Sequence, residues 1–187
     1  MNEIICKIFN DWINRNVSWY MEDFAYPDEV SGLHHKSLNP FLKTEDDIKV
    51  KFGGFLEDNL LPLGYTVHSE ITEIYKHTSS RPDLTIHKVN KNEGLWLHYN
   101  PNPAIETLRG VIEIKYNNYC CTNYESSFNQ IKKDIDKLKE FDENILKFML
   151  VFDEGETIKD SNISCINTLA NDNDVWILSN NSKLCTC

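Results

Sequence analysis

The stretch from Ile145 to Phe152, Ile-Leu-Lys-Phe-Met-Leu-Val-Phe, is almost purely apolar and too short for a typical helix, so it is expected to be a strand covered on both faces. Such a strand needs a layer of helices on either side. The chain offers several. Ile4, Ile5, Ile8, Phe9, Trp12 and Ile13 recur at steps of three and four, which predicts an amphipathic helix over Ile4 to Tyr20. Thr44 can cap a second helix whose first turn holds Glu45, Asp46 and Asp47, acids that suit the positive end of the helix dipole. Its buried stripe is Ile48, Phe52, Phe55, Leu56 and Leu60. Phe128, Ile131, Ile135, Leu138 and Phe141 mark a third helix with Lys132, Lys133, Lys137 and Lys139 on its exposed side, and Ser161 to Ala170 a short fourth.

Between the helices lie strand signals. Pro62 and Gly64 end the second helix, and Tyr65 to Ile71 has strand composition. A turn is expected at His77 to Arg81. Asp83 to Val89 then alternates, with Leu84 and Ile86 on one side and Asp83, Thr85 and His87 on the other. Asn90 to Gly94 reads as a turn and Leu95 to Tyr99 as a short extra strand. Val111-Ile112-Glu113-Ile114-Lys115-Tyr116 is a dense β-branched strand, and Val175 to Leu178 is the last one. Tyr26 to Pro40, with Pro27, Gly32 and Pro40, has no period and reads as a connecting loop. The expected organisation is an N-terminal helix and loop over residues 1–43, then an α/β domain over 44–187. Its order of helix, three strands, helix, strand, helix, strand implies a mixed sheet flanked by helices.

The 187 residues suit one domain, and no apolar run approaches the roughly 20 residues of a membrane span. With no basic flank at Met1-Asn2-Glu3, the chain is expected in the cytosol with its six cysteines reduced. A formal net charge of −10 does not suggest a nucleic-acid binder, so contact with a polyanion requires a local basic strip. Lys49, Lys51 and the lysines from 132 to 139 are the candidates for one. There is no Gly-x-Ser-x-Gly elbow, no phosphate-binding Gly-rich loop and no Gly-x-Gly-x-x-Gly, and the six histidines lack zinc spacing.

One constellation carries chemistry. In a strand, Glu113 and Lys115 project from the same side while Ile112 and Ile114 point to the other. If the strand of Asp83 pairs with this one, a second carboxylate reaches the same spot. Two carboxylates beside a backbone carbonyl suit a hard cation such as Mg²⁺, with Lys115 placed to orient or help deprotonate a water. The competing explanation is an ion pair between Glu113 and Lys115 on an exposed face, with Pro82-Asp83 only a turn.

Arg81-Pro82-Asp83 followed by Glu113-Ile114-Lys115 resembles the PD-(D/E)xK nuclease superfamily, the restriction-endonuclease-like fold, over about Thr44 to Leu178. The resemblance implies an αβββαβ core and a Mg²⁺-dependent nuclease, with Mn²⁺ able to substitute, acting on nucleic acid with DNA favoured over RNA. It implies Asp83 and Glu113 as metal ligands, the Ile114 carbonyl as a third, and Lys115 as the residue that positions the attacking water. For an additional acid, Glu70 competes with Glu45 and Asp47, and its place on the preceding strand favours Glu70. Gln130 resembles a polar residue that many members set toward the site. The 30-residue gap from Asp83 to Glu113 makes residues 95–108 an insertion or an additional strand, able to shape substrate choice. A catalytically silent fold that binds protein or nucleic acid is the alternative. The N-terminal helix, with Trp12 and Trp19, can pack within one subunit or form a homodimer contact.

Overall fold

The computed structural model describes residues 1–23, 44–69, 81–89, 107–117, 124–153, 158–184 and 186, with backbone only for 17–23 and 124–127. Helix α1 spans Asn2–Asp23 and α2 Glu45–Leu60, followed by a short 3₁₀ turn at Leu61–Leu63. Strands β1 (Tyr65–Ser69), β2 (Leu84–Lys88) and β3 (Leu108–Asn117) come next. Helix α3 (Tyr124–Leu138), β4 (Leu146–Asp153), α4 (Asp160–Asp172) and β5 (Val175–Ser179) complete the chain.

The five strands form one sheet in the order β1-β2-β3-β4-β5. The first three are antiparallel, with Val67 opposite Ile86 and Leu84 opposite Ile112. The last three are parallel, with Ile114 beside Leu150 and Met149 beside Ile177. This is the mixed α/β sheet flanked by helices that the sequence predicts.

Period two along β4 explains how the core divides. Phe148, Leu150 and Phe152 join α1 and α2 on one face, where Phe9 and Trp12 stack edge-on against Phe52. Met149 and Val151 join Ile131, Ile135, Ile163 and Ile166 of α3 and α4 on the other. The central strand is covered on both sides, as its composition requires. Ile5, Ile8, Phe9 and Trp12 of the α1 stripe are buried in the core shared with α2 and the sheet, while Ile4 is exposed.

Local chemistry sets the helix ends. The Thr44 hydroxyl oxygen accepts a hydrogen bond from the Asp47 backbone N–H at 3.1 Å and donates to the Asp47 carboxylate at 2.9 Å, fixing the start of α2. Gly64, at φ 84°, makes the left-handed exit into β1. In mid-helix, Gly53 lets α2 ride close to the sheet, for a Cβ there would stand 3.1 Å from a Leu84 methyl carbon. Its neighbour Gly54 meets nothing within 4 Å, although glycine in a helix interior costs about 1 kcal/mol relative to alanine.

Cys6 is disulfide-bonded, which departs from the expectation that every cysteine is reduced, while Cys165 is a free, exposed thiol. Spacing along the chain says little about such a bond, because pairing depends on proximity in the fold. No helix among the described residues is long and apolar enough to cross a membrane.

Candidate active site at the end of the third strand

Strands β2 and β3 run in opposite directions, and the start of β2, Leu84, lies opposite Ile112 in the middle of β3, so Asp83 just before it stands beside the carboxyl half of β3. That geometry gathers the two halves of the sequence motif. Asp83 stands just before β2, and its Oδ2 accepts a hydrogen bond from the Ile114 backbone N–H at 2.8 Å, between Glu113 and Lys115. Its Oδ1 lies 3.1 Å from Lys49 Nζ of α2. A proline before it and a strand after it hold Asp83 at the start of β2.

Glu113 and Lys115 share the α3 side of the strand with Val111, while Ile112 and Ile114 enter the core beneath α2. Glu113 is 3% exposed, which rules out the exposed-face ion pair as its explanation. Lys115 sits between two helices. Its Nζ is 3.3 Å from Glu45 Oε1 at the first turn of α2 and 3.2 Å from Asp134 Oδ2 of α3. The contact with Asp134 is an ion pair that falls short of a well-directed hydrogen bond. Glu45 also accepts from the Tyr116 backbone N–H at 3.3 Å.

Burial works against charge on Lys115, but the carboxylates of Asp134 and Glu45 outweigh it and raise its pKa above the usual lysine value. Lys115 is therefore an ammonium at neutral pH, able to donate and orient but not to accept a proton. Lys137 is raised as well. Burial again opposes, and the hydrogen bond to Asp134 and the negative charge of Glu113 prevail. Carboxylates and ammonium groups thus alternate from Glu45 through Lys115, Asp134 and Lys137 to Glu113.

Of the residues expected at the site, Asp83, Glu113, Ile114 and Lys115 come together. Gln130 does not join them. It is exposed, off the stripe of Ile131, Asp134, Ile135 and Leu138 that faces the sheet. Glu70 lies outside the described residues, as do the loop over 26–40, Trp19's side chain, residues 77–80 of the 77–81 turn, the 90–94 turn and residues 95–106 of the 95–108 insertion. Glu45 reaches Lys115, so its place in the first turn is more than dipole compensation. The cluster also includes Asp134 and Lys49, which the motif does not mark. The basic strip is also smaller than the lysine count suggests, because Lys49 and Lys137 turn toward acids of the site.

The carboxylates fit a hard divalent cation in kind, being oxygen donors at one end of the sheet. They do not fit one as arranged. Both Asp83 oxygens are engaged, and no group of three acidic, histidine or cysteine side chains among the described residues is placed to hold a metal. No family model, curated protein or solved structure matches this chain.

Proposed function

We propose that this protein is a nuclease that hydrolyses phosphodiester bonds with a divalent cation, Mg²⁺ or Mn²⁺, and that DNA is its favoured substrate. The observation that carries the reading is the 2.8 Å hydrogen bond from the Ile114 N–H to Asp83, which ties Pro82-Asp83 to the centre of Glu113-Ile114-Lys115 across 30 residues of sequence. The αβββαβ order around it supports the same reading. Asp83 and Glu113, with the Ile114 carbonyl, are the groups that would hold the cation once Lys49 leaves Asp83. The bound cation would stabilise negative charge developing on the phosphate. Lys115, kept charged by Glu45 and Asp134, orients the attacking water from its three N–H donors.

Incubation of the purified protein with Mg²⁺ or Mn²⁺ and mixed single- and double-stranded DNA and RNA tests this. Cleavage is expected to fall by about 10²- to 10⁴-fold in Asp83→Ala, Glu113→Ala and Lys115→Ala. Full activity in all three refutes the assignment.

The pairing of acids with lysines favours a second reading. With Lys49 on Asp83 and Lys115 between Glu45 and Asp134, the cluster is a self-neutralised network that would hold three elements together in a catalytically silent member of the same fold that binds protein or nucleic acid. Absence of both metal binding and cleavage selects that reading.

A further inference from the structure

The Asp83 carboxylate is held by the chain's own cation, and the way it is held has a particular form. Lys49 Nζ lies 3.1 Å from Asp83 Oδ1 and donates a hydrogen bond to Asp46 Oδ1 at 3.2 Å, so one ammonium stands between two carboxylates. The two acids differ in exposure. The Asp83 side chain is 18% exposed and that of Asp46 84%, while the lysine side chain is 11% exposed. Asp83 is the inner of two stations and Asp46 the outer.

Both stations are reached from one backbone position. Asp46 precedes Lys49 by three residues on α2, and a helical side chain leans toward the preceding turn, where Asp46 stands. An ammonium that leaves Asp83 therefore keeps a carboxylate within reach, and the move needs only rotation of the lysine tail. Asp83 cannot follow it. Its other oxygen, Oδ2, accepts from the Ile114 N–H at 2.8 Å, which fixes the carboxylate against β3. A divalent cation needs those carboxylate oxygens as ligands, and like charge keeps it from sharing Oδ1 with an ammonium at contact distance.

We infer that Lys49 is an autoinhibitory contact: its ammonium closes Asp83 to divalent cations in the free protein, and the site opens when the ammonium withdraws to Asp46. The inference rests on the hydrolytic reading for the place at which a cation would sit. It accounts for the disagreement between the acids of the motif and their arrangement, in which no three acidic, histidine or cysteine side chains among the described residues are set to hold a metal. The place at Asp83 is taken by a lysine of the same chain. A binding-competent form that makes up a tenth of the molecules or less lowers the apparent affinity by about tenfold or more. Removing the ammonium restores that factor.

Calorimetric titration of Mn²⁺ into the full chain, with Lys49→Met and Lys51→Met beside the wild type, tests this. Lys51 is an exposed residue of the same helix, so its loss removes the same charge without uncovering Asp83. Lys49→Met is expected to bind Mn²⁺ about tenfold or more tightly than the wild type, and Lys51→Met to stay within about threefold of it. Mg²⁺ is expected to shift the amide NMR signal of Ile114, whose N–H is bonded to Asp83, over the range in which Lys49→Met saturates. Lys49→Gln, uncharged but still able to donate to Asp83, carries the same expectation where Lys49→Met does not fold. Equal affinity in the wild type and the folded Lys49 variant, an equal gain in Lys51→Met, or an Ile114 amide unmoved by bound metal overturns the inference. Tighter binding in the Lys49 variant with no cleavage of DNA or RNA by any of the proteins upholds the contact and removes the nuclease reading alone. Metal-dependent cleavage by the wild type with no gain in affinity on losing Lys49 does the reverse.

Discussion

Asp134 shows how one side chain can decide the charge state of a site. Its carboxylate is 4% exposed and lies between Lys115 and Lys137. Removing one partner from a buried charged group leaves the others uncompensated, so Asp134→Ala is expected to cost about 3 kcal/mol, the low end for such a loss because both lysines keep some contact with solvent. Urea denaturation measures this. The pH dependence has a definite sign. Both lysines have pKa values raised above 10.5 in the folded protein, so their contribution is complete below the unfolded value and is lost as pH rises through the folded ones. The stability gap between wild type and Asp134→Ala should hold steady from about pH 7 to 10 and narrow above 10.5. A gap independent of pH through that upper range would contradict it. The residue was legible in principle, for an acid at i+3 and i−1 from Ile131 and Ile135 interrupts an apolar stripe. The flanking Lys132 and Lys133 are exposed and mask that signal, because they read as an ordinary solvated face.

At the scale of elements, the parts that repeat with a period were readable and the parts that depend on convergence were not. Two-residue alternation places Glu113 and Lys115 together on β3 and splits β4 between two cores, and both follow from composition alone. Helix α2 is a mixed case. Thr44 is a cap in sequence and in structure, and Thr44→Ala is expected to lower stability by about 1 kcal/mol, measured by chemical denaturation. A change below about 0.3 kcal/mol would show that the cap is redundant with the Glu45 contacts to Lys115 and Tyr116. Those contacts had no sequence signal. An acid in the first turn already has a sufficient reason to be there, and only the packing of α2 over the end of β3 gives it a second one. Lys49 is similar, since helical spacing cannot reveal that Asp83, 34 residues further on, meets it.

For the molecule as a whole, the order of elements explains where chemistry can occur. An antiparallel meander hands over to parallel strands at β3, and the helices on the two faces, α2 and α3, both send side chains to that strand's end. Acids and lysines from four separate segments therefore meet in one place in a protein whose overall charge is −10. The free protein holds them as ion pairs, and the proposed hydrolysis would require a divalent cation to displace Lys49 from Asp83. Titration of Mn²⁺ into the full chain by calorimetry, with Asp83→Asn beside it, tests that requirement most directly. Saturable binding to the wild type that is lost in Asp83→Asn is the expected result, and a wild-type protein that takes up neither Mn²⁺ nor Mg²⁺ would contradict it.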